Sequence, residues 1–177
     1  MARLPIDDNG VAAATRHIVG DGCGRIELLA TAKGQNILTP HPGELGRLLG
    51  KSGREIERDR FGAVREAAAR TRAIVVLKGA RTIIASASPA PRMYISMAGS
   101  PALATAGSGD VLTGIVAALA CSLSPMRAAC AGVLIHALAG DRWLAQTGID
   151  RGMLAGEIGD AVPAVMAALA RGGDPLG

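Results

Sequence analysis

The stretch AIVVLKGARTIIASAS, residues 73–88, decides the fold. Its first half, AIVVLKG, is apolar without alternation. A strand of that kind is covered on both faces, as in a sheet sandwiched between helices. TIIASAS follows as a second strand, joined to the first through KGAR, and RMYISM (92–97) reads as a third. Upstream, NIL (36–38) is a short apolar run ending in TPHPGE, a strand that leads into a loop. Helical patterns flank these strands. In ELGRLLG, Leu45, Leu48 and Leu49 share one face, and REIERDRFGAVREAAARTR (54–72) is a charged, amphipathic helical segment. Strands that alternate with helices predict a layered α/β fold.

The second half of the chain is helical. One helix starts near Val111. A second long helix opens at Ser124-Pro125, where proline suits a first turn. LAGEIGDAVPAVMAALARGG (154–173) is a helical finish expected to be interrupted at Pro163. Near the start, VAAATRHIV (11–19) predicts a short helix, and DDNG and GDGCG are turn signals. No linker divides the chain, so residues 1–177 form a single domain.

Composition narrows the function classes. Hydrophobic residues make up 49% of the 177 and aromatic residues 2%, so the core is built from Ala, Val, Ile and Leu. One Phe, one Trp and one Tyr give no stacking platform for single-stranded nucleic acid. The net charge of +4 comes from scattered arginines and suits a small anionic ligand better than a polynucleotide. The apolar runs around 111–123 and 131–139 are too short to span a bilayer, and MARLPIDDNG lacks the apolar core of a secretory signal. Cys23, Cys121 and Cys130 have no metal-ligand spacing. Cys121 and Cys130 lie in apolar helical runs and read as buried free thiols, which fits a reducing, cytoplasmic setting.

Chemistry enters at ATAGSGDVLTGIVAALA, residues 104–120. A helix start exposes unpaired amides and a partial positive charge. Glycines there let the backbone approach a phosphate, so Gly107, Ser108 and Gly109 form a candidate anion loop. Val111, Ile115, Val116 and Leu119 anchor the helix behind it. Asp110 has two readings. An acid near a helix start stabilises it by about 1 kcal/mol. A carboxylate beside a phosphate loop can also act as a general base on an attacking hydroxyl. His41, between two prolines, is either a rigid-turn residue or a ligand contact. Glu44 reads as a helix-start charge, and Lys78 lies at a strand end, where ligands collect in open α/β sheets. His136 reads as a packed structural histidine and Asp141 as structural; His17 has no functional context.

ILTPHPGELGRLLG, VVLKGARTIIA, SPALATAGSGDVLTGIVAALA and GVLIHALAGD occur in this order and spacing. Together they resemble the ADP/ATP-dependent NAD(P)H-hydrate dehydratases of the ribokinase-like superfamily, from about Asn36 to about Ala168. The resemblance implies a ribokinase-like three-layer α/β/α sandwich. The family pattern begins well before the residues matched here, so an N-terminally truncated version is expected. The implied activity is dehydration of the S-epimer of hydrated NAD(P)H. ADP would be released as AMP, or ATP as ADP, together with phosphate. His41 is expected to meet the hydrated dinucleotide. Lys78, Gly79, Ala80, Arg81, Thr82 and Gly109 are expected to meet the nucleotide, and Asp110 to contact the substrate and serve as base. Mg²⁺ is expected with the nucleotide, without a dedicated ligand cluster in the chain. A functional link to an NAD(P)H-hydrate epimerase is implied as well.

The pattern departs from the family at Ala102 and Ala106, where glycine is common, and at Ser100, where asparagine is common. A methyl group at 106 conflicts with phosphate approach if that residue needs a positive φ. A kinase for a small vitamin precursor or carbohydrate, and an inactive nucleotide-binding remnant, are the alternatives. The shortened sheet exposes an edge, which predicts a homo-oligomer.

Overall fold

The computed structural model describes residues 11–14, 26, 35–87 and 92–176. Five strands form one sheet in the order β1 (Val11–Ala14), β2 (Gln35–Leu38), β3 (Ile74–Leu77), β4 (Ile83–Ser86) and β5 (Met93–Ile95). The first three are parallel, and β4 and β5 add on antiparallel. The unalternating β3 divides its side chains between two cores. Val75 and Leu77 join Leu38, Ile83 and Ala85 beneath α1 (Pro42–Leu49), α2 (Gly53–Arg58) and α3 (Arg60–Thr71). Ile74 and Val76 join Ile37 and Ile84 against α4 (Ser108–Ala120) and α5 (Pro125–Thr147). The result is the expected three-layer α/β/α sandwich. Each large aliphatic side chain sealed in these layers contributes about 1.5–3 kcal/mol of burial.

Local chemistry sets the helix ends. His41 and Glu44 form a capping box on α1, Pro42 occupies its first turn, and Gly50 closes it at φ 70°. The α4–α5 packing depends on Gly132, where a methyl group would sit 2.5 Å from Val116 Cγ2. A further helix, α6 (Ala155–Arg171), packs on α5 through Ile158 and Val165 against Ile135 and Ala139.

Four local expectations are corrected. Val11–Ala14 is a strand rather than the start of a helix; pairing with β2 along Gln35–Leu38 outweighs the high helix propensity of its alanines. The segment 54–72 is two helices. Asp59 breaks it with φ −138° and ψ 73°, and its Oδ1 accepts from the Gly62 N–H at 2.8 Å to start α3. Pro163 lies inside a continuous α6. It is exposed, and solvent can take up the carbonyl that its missing N–H leaves. Cys121 is exposed at the end of α4; Cys130 is half-buried, and burial pushes its thiol pKa up. The turns DDNG and GDGCG, residues 15–19, His17 and Cys23 lie outside the described residues.

Candidate functional site

Strands β2 and β3 are parallel neighbours, so their C-terminal ends lie at the same edge of the sheet. The chain leaves β2 into Thr39-Pro40-His41 and leaves β3 into Lys78-Gly79. The Lys78 N–H donates to the Pro40 carbonyl at 2.9 Å, which ties the two exits together. Helix α4 starts beside them. Thr39 Oγ1 lies 3.0 Å from Thr113 Oγ1, and the Thr113 hydroxyl donates to the Gly109 carbonyl at 2.9 Å. The Thr39 hydroxyl is therefore the donor of that pair.

Glu44 joins the two strand exits electrostatically. Its Oε2 accepts from the His41 N–H at 2.7 Å and lies 3.4 Å from Lys78 Nζ. Its Oε1 lies 3.5 Å from His41 Nε2. The acid read as a helix-start charge is thus also the counter-ion of Lys78. His41 is both things the sequence allowed. Its Nδ1 accepts from the Gly43 and Glu44 amides at 3.0 and 3.3 Å, capping α1, while half of the imidazole remains exposed. In this capping geometry Nδ1 is the acceptor, so the neutral ring carries its proton on Nε2.

On the other side of Lys78 lies a cavity of about 520 Å³. The loop Lys78, Gly79, Ala80, Arg81 and Thr82 forms one wall, and Ser108 and Gly109 form another. Lys78 lies across the head of α4. A methyl group on Gly109 would meet its Nζ at 2.9 Å, so only glycine leaves the ammonium this position. Gly107 is the N-cap of α4, with φ 85°. It supplies the left-handed turn, and Ala106 is absent from the positive-φ residues and exposed. The methyl at 106 therefore costs no backbone strain. Asp110 stands in the first turn of α4, exposed, directly after Gly109 and outside the cavity lining. His41 is outside that lining too and reaches Lys78 through Glu44.

Several residues belong to this site without a readable signal in the sequence. His136 on α5 lines the cavity and lies 3.1 Å from Ser108. Asp141 accepts from the Gly99 N–H at 2.9 Å, and Ser100 Oγ donates to the Gly140 carbonyl at 2.9 Å, so α5 pins the wall formed by 98–101. Arg60 Nη2 reaches the Lys78 carbonyl at 3.4 Å and occupies the space a Gly79 side chain would take. These contacts span 18 to 42 residues of sequence, and local pattern carries no trace of them.

Comparison with known proteins agrees with the geometry. A bifunctional NAD(P)H-hydrate repair enzyme of Moorella thermoacetica is 43% identical over 159 residues, which are 89% of this chain and 27% of that protein. The solved ADP/ATP-dependent NAD(P)H-hydrate dehydratase of Bacillus subtilis, co-crystallised with ATP and Mg²⁺, superposes with a TM-score of 0.70 at 33% identity, covering 77% of this chain and 50% of that one. A ribokinase-like superfamily protein of Enterococcus faecalis gives a TM-score of 0.65 at 30% identity, covering 77% and 45%. The fold is accordingly ribokinase-like, and the chain spans about a quarter to a half of these relatives. The NAD(P)H-hydrate dehydratase family model matches residues 9–164, and the chain belongs to that family.

Proposed function

We propose that this chain dehydrates the S-epimer of hydrated NAD(P)H to NAD(P)H, consuming ADP with release of AMP, or ATP with release of ADP, and liberating phosphate. One observation carries the reading. The T-P-H-P-G-E, K-G-A-R-T and G-S-G-D segments meet at a single point, where Lys78 bridges Glu44 and the Gly109 turn. A sugar kinase has no evident use for the capped, half-exposed His41 beside that bridge.

The division of labour follows from the layout. The 520 Å³ cavity falls in the range of small-ligand pockets and takes the nucleotide against Lys78–Thr82 and Gly109. The turn Gly107, Ser108 and Gly109, at the positive end of α4, receives its terminal phosphates, with the Gly109 N–H as the donor. His41 meets the hydrated dinucleotide. Asp110 takes the proton of the ring hydroxyl as its oxygen bonds to the terminal phosphorus and the bond to the bridging oxygen breaks. The phosphorylated ring oxygen then leaves as phosphate. The neighbouring ring carbon gives its proton to water or to the departing phosphate, and the dihydropyridine double bond is restored.

Mg²⁺ fits as a companion of the phosphates. Among the described residues no three His, Cys, Asp or Glu side chains are grouped to hold a metal. Mg²⁺ on a nucleotide would be held chiefly by the phosphates and its own waters, so the Gly107–Gly109 turn that receives those phosphates is what positions it. When bound, it offsets charge on the transferred phosphoryl group. The free thiols Cys121 and Cys130 suit a cytoplasmic setting. The relative's bifunctional name supports a functional link to an epimerase.

The test is direct. The protein is incubated with hydrated NADH and either ADP or ATP. Recovery of the dihydropyridine absorbance, with AMP or ADP formed in step, is expected. Nucleotide binding without recovered absorbance would contradict the reading.

A further inference from the structure

His136 sits in α5 among Val133, Ile135 and Ala137 and is only 9% exposed, yet its ring lines the cavity. Its Nε2 lies 3.1 Å from the carbonyl oxygen of Ser108 and 3.1 Å from Ser108 Oγ. A carbonyl oxygen only accepts, so Nε2 carries the proton and the ring is the donor. Burial holds the imidazole below its ordinary pKa, the charge of Lys78 adds to that, and the Ser108 carbonyl opposes it. The ring is therefore neutral at physiological pH, with one N–H to give.

The peptide unit from Ser108 to Gly109 has that carbonyl on one side and the Gly109 N–H on the other. A hydrogen bond donated to the carbonyl polarises the unit and strengthens its N–H as a donor. The neighbouring first-turn amides are already committed. Ser108 N–H turns onto Thr105 O at 3.3 Å, and Asp110 N–H onto Gly107 O at 2.9 Å. The Gly109 N–H is the amide between them, one of the unpaired donors of a helix start.

We propose that His136 is a positioning residue for the phosphate-binding turn. Through the Ser108 carbonyl it fixes the 108–109 peptide and strengthens the Gly109 N–H toward the nucleotide phosphates. The proposal rests on the reading above only in taking Gly109 as the nucleotide contact. A histidine that merely filled core volume would leave the Gly109 amide indifferent to its replacement.

Two variants separate these cases. His136→Gln places an amide nitrogen near the position of Nε2 and can still reach Ser108. His136→Asn places it near Nδ1 and falls short. The readouts on the purified chain are the Gly109 amide proton shift without ligand and ADP affinity by calorimetry. The Gln variant should keep the Gly109 resonance in place and hold ADP affinity within about threefold of the parent. The Asn variant should move the resonance upfield and weaken ADP about tenfold, about 1.4 kcal/mol, which lies within the range of one hydrogen bond. An unmoved Gly109 resonance in the Asn variant, or equal loss of affinity in both variants, would overturn the proposal. Failure of the parent to bind ADP would count against the nucleotide reading, and the amide shift would then decide the role of His136 by itself.

Discussion

Gly109 lacks a side chain where Lys78 needs the space, and Lys78 is held there by Glu44. The sequence offers each residue separately and gives no sign of the bridge. His41 was legible as a constrained residue between prolines, because proline restricts its neighbours wherever it occurs. His136 was not legible: a histidine among aliphatic residues looks like core, and the Ser108 contact that gives it a role is 28 residues away. Its burial has a consequence for acid stability. The folded-state pKa is lowered from the ordinary value of 6.5. Above that pH both states are neutral at this ring. Below it the unfolded chain binds a proton that the folded chain refuses, so stability falls as pH drops toward the folded pKa. The thermal stability of the parent should therefore decline, as pH falls below the ordinary histidine value of 6.5, more steeply than that of His136→Gln. Glu55 and Glu66, held below the ordinary carboxylate range by Ser52 and Lys51, act only at lower pH. Equal slopes in parent and variant would contradict the assignment.

Elements with strong local signals were the readable ones. Unbroken apolar character marked β3, and Ser124-Pro125 marked the start of α5. Where tertiary contacts decide, the pattern misled. Val11–Ala14 has the composition of a helix and becomes a strand through its pairing with β2, and Asp59 splits what reads as one helix because its side chain caps the next. Strand β5 illustrates a consequence at this scale. It forms one edge of the sheet, and Tyr94, Ile95 and the following Met97 are 40%, 43% and 75% exposed. An apolar edge strand invites pairing with another copy. Light scattering should show an average mass that rises with concentration, and Ile95→Lys should suppress the rise. A parent that stays monomeric across the range would contradict the expected homo-oligomer.

At the scale of the molecule, the sandwich turns three distant segments into one site. Parallel β2 and β3 end at the same edge, delivering His41 and Lys78 together, and the inner helix layer brings the head of α4 against them. Ligands gather at this edge in open α/β sheets. The layered class and the glycine turn that starts α4 were readable because periodicity and glycine placement are local. The join between the segments was not, since it depends on strand order. The central claim is that the glycine turn heading α4 holds the nucleotide's terminal phosphates while Asp110 deprotonates the acceptor hydroxyl. It is tested most directly by the turnover and ADP affinity of Asp110→Asn, measured together on hydrated NADH. General-base action accounts for about 10²–10⁴-fold in rate, so kcat should fall by at least about 100-fold with ADP affinity within a few-fold of the parent. A variant that turns over within a few-fold of the parent would contradict the account.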